Sequence, residues 1–348
     1  QYLVKNGDTL DGIVRAFGVS PEDLMRANGL TSPGQIRPRS ALTIPLRREK
    51  TEIEVNAYVY HLGRAGALCV AAEGESLTYV APFAYMIRQD GSLQPIDDSP
   101  IVSAAYAENA APMMTIANFS PGSPGSELAH AVLSNQDTIN RLLDNIVAVM
   151  QEKNYLALNI DFENVFPEDR ALYNRFAQKA AERMHAHGFA ISSALAPKYS
   201  GEQEGLLYTA HDYPAHGKYM DFVVLMTYEW GYREGPPQAI SPVNQIRRVL
   251  DYAVTVIPRE KILLGFLIYA RDWLLPFQPG QVAETFSVAE ARMRAVQYGA
   301  TILYDETAQS PFYNYVDEQG RMHEVWFEDA RSAQAKFDLV KEYNLRGL

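Results

Sequence analysis

Seven short apolar runs alternate with longer amphipathic stretches along most of this chain, and that alternation restricts the fold more than any other feature. The runs are Glu52–Tyr60, Leu77–Tyr85, Met113–Asn118, Leu156–Glu163, Ala190–Ala196, Phe222–Tyr228 and Ile262–Tyr269. Helical periodicity appears at Asn135–Lys153, Glu168–Ala186, Val243–Ala253 and Val288–Tyr298. Strands that are apolar on both faces belong in a parallel sheet covered by helices on each side. Seven of them in one domain predict an α/β fold, a (β/α)8 TIM barrel. The chain reaches Asn344-Leu345-Arg346-Gly347-Leu348 where an eighth strand is due. The barrel is therefore expected to break off at about the start of strand eight. The 348 residues leave room for a small second domain.

The fourth run, Leu156-Ala157-Leu158-Asn159-Ile160-Asp161-Phe162-Glu163, carries the chemistry. Side chains two apart on a strand share a face. Asn159, Asp161 and Glu163 thus line one side of an otherwise apolar strand. A buried carboxylate is costly unless paired. Two adjacent carboxyls oppose each other's ionisation, which keeps a proton available near neutral pH for general acid catalysis. Salt-bridged carboxylates at a strand end are the plainer alternative.

Net charge is −11 with no basic run, which argues against nucleic acid as a partner. Cys69 is the only cysteine, so an intrachain disulfide is excluded and the redox compartment stays open. No apolar run is long enough to span a membrane. The chain starts at Gln1 without a signal-peptide pattern and reads as processed or trimmed. Nothing in it calls for an obligate partner, and a monomer is expected. His130, His185, His187, His211, His216 and His323 show no metal-ligand spacing, so no metal is expected.

Residues 1–47 differ from the rest. Tyr2-Leu3-Val4 reads as a strand, and Thr9 as the cap of a helix over Leu10–Phe17 that Gly18 ends. Ser20-Pro21-Glu22-Asp23 opens a second helix ending near Asn28-Gly29, and a last strand covers Ala41–Ile44. This βααβ segment resembles a LysM module, on V-K-N-G-D-T-L at 4–10, A-N-G-L at 27–30 and L-T-I-P at 42–45. The resemblance implies binding of glycans that contain N-acetylglucosamine, such as peptidoglycan and chitin. The implied groove lies between Gly7, Asp8, Thr9 and Leu10 on one side and the loop from Gly29 to Ile36 on the other. Arg47, Arg48, Glu49 and Lys50 read as a charged linker to a barrel domain over 48–348.

Three motifs in order carry a second resemblance. They are Leu156-x-x-Asn159-x-Asp161-x-Glu163, Met226-x-Tyr228-Glu229 and Leu267-Ile268-Tyr269-Ala270-Arg271-x-Trp273. They resemble the strand-four, strand-six and strand-seven motifs of glycoside hydrolase family 18, with Leu156 and Asn159 replacing the first two aspartates. Ala117-Asn118-Phe119, Ala194-Leu195-Ala196-Pro197-Lys198 and His323-Glu324-Val325-Trp326-Phe327 extend the match. The pattern is most similar to the spore cortex-lytic N-acetylglucosaminidases of that family. The implied mechanism is substrate-assisted and retaining. Glu163 is the general acid, Asp161 orients the substrate's 2-acetamido group, and Tyr228 hydrogen-bonds the acetamido oxygen. Asn159 is expected to anchor Asp161 through a neutral hydrogen bond. No cofactor is implied.

Further expected substrate contacts are Tyr58, Phe83, Asn118, Met226, Glu229, Trp230, Tyr269 and Arg271, with Arg271 either touching substrate or pinning Glu229. Trp230, Trp273 and Trp326 are candidates for sugar stacking, one of the three serving structure instead. Residues from about Leu274 to Trp326 are expected to form a small α+β insertion. The implied substrate is spore-cortex peptidoglycan, and the location the spore cortex or coat, the cell envelope, or outside the cell. Two alternatives stay open, a chitin oligosaccharide hydrolase and a catalytically silent glycan-binding protein. Retention of Asp161, Glu163 and Tyr228 together argues against the silent one.

Overall fold

The computed structural model describes residues 2–5, 7–17, 19–38, 40–45, 52–119, 122–123 and 125–348. The helix stop at Gly18 and the linker Arg47, Arg48, Glu49 and Lys50 lie outside the described residues. The chain divides into two compact units, residues 1–52 and 53–348.

In the first unit β1 (Tyr2–Leu3) pairs antiparallel with β2 (Ala41–Leu42), and α1 (Leu10–Phe17) and α2 (Pro21–Ala27) lie between them in sequence. Thr9 accepts a hydrogen bond from the Gly12 amide, and Ser20 accepts one from Asp23 with Pro21 at the first helical position. Both are N-terminal caps that satisfy otherwise unpaired helix amides. Val4, Leu10, Ile13, Leu24 and Leu42 form the core.

The second unit runs β3 (Asn56–Val59), α3 (Gly63–Glu73), β4 (Tyr79–Pro82), β5 (Tyr85–Met86), α4 (Ser99–Ala107), β6 (Ala111–Ala117), α5 (Ser126–Leu133), α6 (Gln136–Lys153), β7 (Ala157–Asp161), α7 (Arg170–Ala186), β8 (Ala190–Leu195), α8 (Tyr213–Tyr219), β9 (Phe222–Leu225), α9 (Val243–Val256) and β10 (Ile262–Leu264). Strands β3, β4, β6, β7, β8, β9 and β10 are neighbours in that order, every pair parallel. The tail of the chain completes the ring at one rim. Gly347 bridges in parallel to both Glu54 and Leu263. The Leu264 amide donates to Gly347 O and the Asn56 amide to Leu348 O, at 3.0 and 2.8 Å. Residues 346–348 thus stand in the eighth strand's place.

The two faces of β7 explain its sequence. Leu158 and Ile160, with Phe162 just beyond, pack outward among the helices, and Phe162 stacks on Tyr173 and Phe176 of α7. Ala157 faces inward with Ala81, Met113, Phe222, Val224 and Leu263, which fill the ring's floor. Helix α6 shows how the outer layer is specified. Asn135 caps it, Asn154 in the left-handed conformation ends it, and Ile139, Leu142, Leu143, Ile146, Val147 and Met150 form its buried stripe.

A second sheet follows the barrel. It comprises β11 (Tyr269–Leu275), β12 (Glu284–Ser287), β13 (Leu303–Asp305), β14 (Ser310–Val316) and β15 (Met322–Trp326), in the order β12-β11-β15-β14-β13, with α10 (Val288–Gln297) after β12. The final helix is α11 (Ala330–Glu342). The expected seventh strand is corrected here. β10 stops at Leu264, and Tyr269 already belongs to the antiparallel sheet, so the insertion begins five residues before Leu274. The continuous apolar run hid the break between two strands of different sheets.

Gly347 has no room for a side chain, because a Cβ there would lie 1.8 Å from Glu54 O. Gly347→Ala must push apart the strands that it bridges. Overpacking of this kind costs about 1–3 kcal/mol, and thermal unfolding of the variant should show a lowered Tm. An unchanged Tm would mean that the tail does not pair as described.

Candidate active site

The ring's interior turns polar toward the C-terminal ends of the strands. Asn159 lies opposite Thr115 on β6 and Ser192 on β8. The Ser192 hydroxyl donates to Asn159 Oδ1 at 2.9 Å. Asp161, one layer higher, is 4% exposed. The expected hydrogen bond from Asn159 to Asp161 is absent, since Asn159 Nδ2 and Asp161 Oδ1 are both buried without a partner among the described residues. Spacing explains this. Side chains two apart on a strand stand roughly 6.6 Å apart, whereas an adjacent strand is only about 4.8 Å away, so Asn159 finds Ser192 first. The Tyr58 hydroxyl is also buried without a hydrogen bond of good geometry, although the amides of Asn159 and Asn56 neighbour it. Thr115 Oγ1 and Asn56 Oδ1 are likewise unpaired among the described residues. Buried polar atoms are nearly always paired, so this inward layer offers partners to water or to a polar ligand.

Charge converges on the same point. Burial, then the neighbouring Glu163 carboxyl, pushes the Asp161 pKa well above the usual carboxylate range. Burial, then Glu229, raises Glu163. The Tyr228 phenol is raised well above its ordinary value by burial and by Tyr58, Asp161, Glu163 and Glu229. Tyr228 therefore sits within electrostatic reach of Tyr58, Asp161, Glu163 and Glu229 and remains a neutral donor.

A cleft of about 600 Å³ opens over Glu163, lined also by Pro197, Leu207, Tyr208, Met226, Tyr228, Glu229, Trp230 and Tyr232. The motifs pointed to Glu163, Met226, Tyr228, Glu229 and Trp230. Leu207, Tyr208 and Tyr232 were missed because they lie on loops with no periodic signal. Pro197 lies in a matched stretch whose role the motif left open.

Glu229 holds a left-handed backbone (φ 68°), uncommon for a residue with a side chain. Arg271 fixes it with a two-pronged ion pair, both contacts 2.8 Å. The remaining Arg271 donors go to Gly231 O, the Tyr269 hydroxyl and Thr285. Arg271 is thus a brace for Glu229, with Tyr269 behind it, and neither lines the cleft. Asn118 is also a brace, its amide donating to Gly125 O and Asn164 O.

Trp273 and Trp326 are both structural, one more than expected. Trp273 is buried with its N–H on Gly235 O, and Trp326 stacks on Phe312 at 4.6 Å. Trp230 lines the cleft, with its N–H on the Tyr199 hydroxyl. Tyr58 meets Phe83 edge-on at 5.8 Å, and Phe83 stacks on the exposed Tyr60.

In the first unit Leu10 is a core residue, which corrects its expected place in a glycan groove; as the first residue of α1 its side chain turns inward. The Asp8 carboxylate accepts from the Tyr2 hydroxyl and the Lys5 amide. Gly7 and Gly29 are exposed turns with positive φ, Thr9 caps α1, and Ile36 is half-buried against the core.

A model of the glycosyl hydrolases of family 18 matches residues 105–348. This chain belongs to glycosyl hydrolase family 18. It is a glycoside hydrolase on an α/β barrel, with a LysM domain matched at residues 2–45. It is 42% identical to the cortical fragment-lytic enzyme of Bacillus subtilis over 400 aligned positions, covering 100% of this chain and 93% of that one. The structure of the Bacillus megaterium spore cortex-lytic enzyme SleL superposes with a TM-score of 0.89 at 40% identity, over 99% of this chain and 81% of that chain. A chitinase from Chromobacterium violaceum superposes at 0.79 and 25% identity, over 85% of this chain and 92% of that chain.

Two predictions follow from the electrostatics of this family 18 site. Because the Asp161 pKa is raised on folding, the folded chain binds more protons than the unfolded one between the unfolded and the folded pKa. Asp161 therefore costs stability at neutral and alkaline pH, and the cost fades as pH falls. Asp161→Asn should unfold at higher urea than the parent at pH 8, with the gap closing toward pH 4. Equal midpoints at pH 8 would contradict the burial cost. Glu229→Gln removes the like charge beside Glu163 and frees the Arg271 cation, and both changes favour ionised Glu163. The basic limb of kcat/KM should move to lower pH, and a fixed limb would mean that Glu229 does not tune the acid.

Proposed function

We propose that this hydrolase is an N-acetyl-β-D-glucosaminidase that cleaves β-1,4 bonds after N-acetylglucosamine in spore-cortex peptidoglycan. The observation that carries the reading is the arrangement at β7. Glu163 faces the cleft with a raised pKa, beside a buried Asp161 whose Oδ1 has no partner among the described residues. Glu163 protonates the glycosidic oxygen as the bond to the leaving sugar breaks. The substrate's own 2-acetamido oxygen attacks the anomeric carbon, so no enzyme nucleophile is needed. Asp161 Oδ1 accepts from the acetamido N–H. Tyr228, neutral by burial, donates to the acetamido oxygen and holds it in line for attack. Glu163 then takes a proton from water, which opens the cyclic intermediate with retention. Asn159, joined to Ser192, sets the floor beneath Asp161.

The choice of cortex over other glycans is supported by relatives named for cortical fragments and the spore cortex. In this reading residues 1–47 tether the enzyme to the glycan and residues 48–348 cut it. A tether of this kind raises the local substrate concentration to the order of millimolar. The location is the spore cortex or coat, or otherwise the cell envelope or the outside of the cell. The alternative of a chitin oligosaccharide hydrolase is favoured by the likeness to the chitinase structure.

Mass spectrometry of products from spore-cortex fragments and from chitin oligomers, with wild type and Glu163→Gln, tests the proposal. Fragments with new reducing-end N-acetylglucosamine from cortex, lost by at least 10²-fold in the variant, are expected. Cleavage of chitin oligomers alone would replace the cortex with chitin as substrate. Binding of both without cleavage would make the protein a silent glycan binder.

A further inference from the structure

His211 is buried and lies outside the cleft, at the end of the loop that carries Leu207 and Tyr208 into the cleft wall. Both of its ring nitrogens are in use. Nδ1 accepts from the Ala196 amide at 2.7 Å, and Nε2 donates to the Phe162 carbonyl at 2.9 Å. An imidazole that accepts at one nitrogen and donates at the other is neutral and fixed in a single tautomer. Phe162 directly precedes Glu163, and Ala196 lies just beyond the end of β8, the neighbouring strand. The ring therefore ties the two strand ends together immediately beside the carboxyl that faces the cleft.

The surroundings keep the ring in this role. The main-chain carbonyl of His211 accepts from the buried Lys198 ammonium at 3.2 Å. The Tyr213 hydroxyl donates to Ala196 O and accepts from the Lys198 amide. The His211 amide donates to Tyr208 O, which ties the cleft-wall loop to the same point. Tyr173 and His216, both buried, pack nearby. Burial and the nearby Lys198 cation oppose protonation of the ring, and its pKa is pushed down to about 4. It keeps its acceptor at any pH where the enzyme works near neutrality.

We propose that His211 is the positioning residue for the catalytic acid: by holding the Phe162 carbonyl to the Ala196 amide through one neutral ring, it fixes where the Glu163 carboxyl stands relative to the leaving oxygen. The proposal rests on the assignment of Glu163 as general acid. Strand pairing alone does not supply this restraint, because β7 ends at Asp161 and β8 at Leu195. Beyond those residues the ladder has stopped, and the imidazole carries the connection one step further.

The leaving group separates a positioning role from a general loss of packing. The dinitrophenolate of a 2,4-dinitrophenyl chitobioside leaves without protonation, whereas the sugar leaving group of the natural glycan needs the acid. His211→Asn keeps an acceptor near the Nδ1 position but has no donor that reaches Phe162; His211→Gln keeps a donor near Nε2, the half of the clamp that holds Phe162 directly before Glu163. We expect His211→Asn to lower kcat/KM on the unactivated glycan by about 10- to 100-fold with KM changed less than about 3-fold, to spare kcat/KM on the dinitrophenyl substrate, and to be largely rescued by His211→Gln. Equal losses on both substrates in His211→Asn, or no rescue by His211→Gln, would overturn it, as would a His211→Asn enzyme of wild-type rate on the glycan. Glu163→Ala, run alongside, reads the acid itself. If its kcat/KM, which reads bond cleavage and not the later attack of water, falls equally on both substrates, the assignment of Glu163 as acid fails and this proposal falls with it. If Glu163→Ala discriminates and His211→Asn does not, the acid stands and the clamp alone is wrong. Should His211→Asn fail to fold by circular dichroism, the same comparison on His211→Gln decides, since the clamp requires that variant to retain leaving-group behaviour like wild type.

Discussion

The site depends on one constraint, a carboxyl carried into the inside of a ring of parallel strands. In such a ring the backbone amides and carbonyls are taken up by the ladders. A polar side chain pointing inward must find its partner among other inward side chains. Asn159 finds Ser192, and Asp161 finds none for Oδ1 among the described residues. Burial without a partner disfavours the charged form, and the same burial leaves an acceptor directed at whatever enters from above. The unpaired atom and the retained proton thus have one physical origin.

Around that point the chain places braces rather than additional reacting groups. Arg271 sits in the middle of the second sheet, on β11 between β12 and β15, and grips Glu229 with both prongs. The insertion therefore serves the cleft by holding a carboxylate whose charge raises Glu163. Glu229 needs the grip, since its left-handed backbone costs on the order of 1–3 kcal/mol. Asn118 fastens Gly125 and Asn164, the latter directly after Glu163.

The sequence made the inward and outward parity of Leu156–Glu163 readable, because period-two alternation of apolar and polar residues has one structural meaning. Tyr228 and Glu229 were readable only through the resemblance of Met226-x-Tyr228-Glu229 to the family's strand-six motif, since strand patterning alone gives neither a role. Other elements left weaker traces. Helix α3, Gly63-Arg64-Ala65-Gly66-Ala67-Leu68-Cys69-Val70-Ala71-Ala72-Glu73, is too rich in alanine and glycine to show a stripe. The break between β10 and β11 lies inside one apolar run, and strands of two different sheets look alike when both are buried. Trp273 and Trp326 show that aromatic composition does not report burial; each faces a core that forms only when distant strands pair. His211 carried no spacing signal, because both of its partners are main-chain atoms. Main-chain hydrogen bonds leave no mark on residue identity at the partner positions.

The chain's net charge of −11 would predict an acidic, strongly hydrated cleft. The groups at its centre behave otherwise. Asp161, Glu163 and Tyr228 all have pKa values raised by burial, and the Glu229 carboxylate is paired with Arg271. Asp161 and Glu163 oppose each other's ionisation, so the centre carries less negative charge than its carboxyls alone would suggest. A less charged centre suits an uncharged N-acetylated sugar, which gains nothing from a fixed charge until its glycosidic bond begins to break. On the proposed mechanism positive charge then develops at the anomeric carbon while Glu163 gives up its proton. The negative charge of the site thus appears together with the charge that it stabilises. This timing favours the transition state over the bound sugar, and it follows from burying carboxyls beside one another rather than from any single residue.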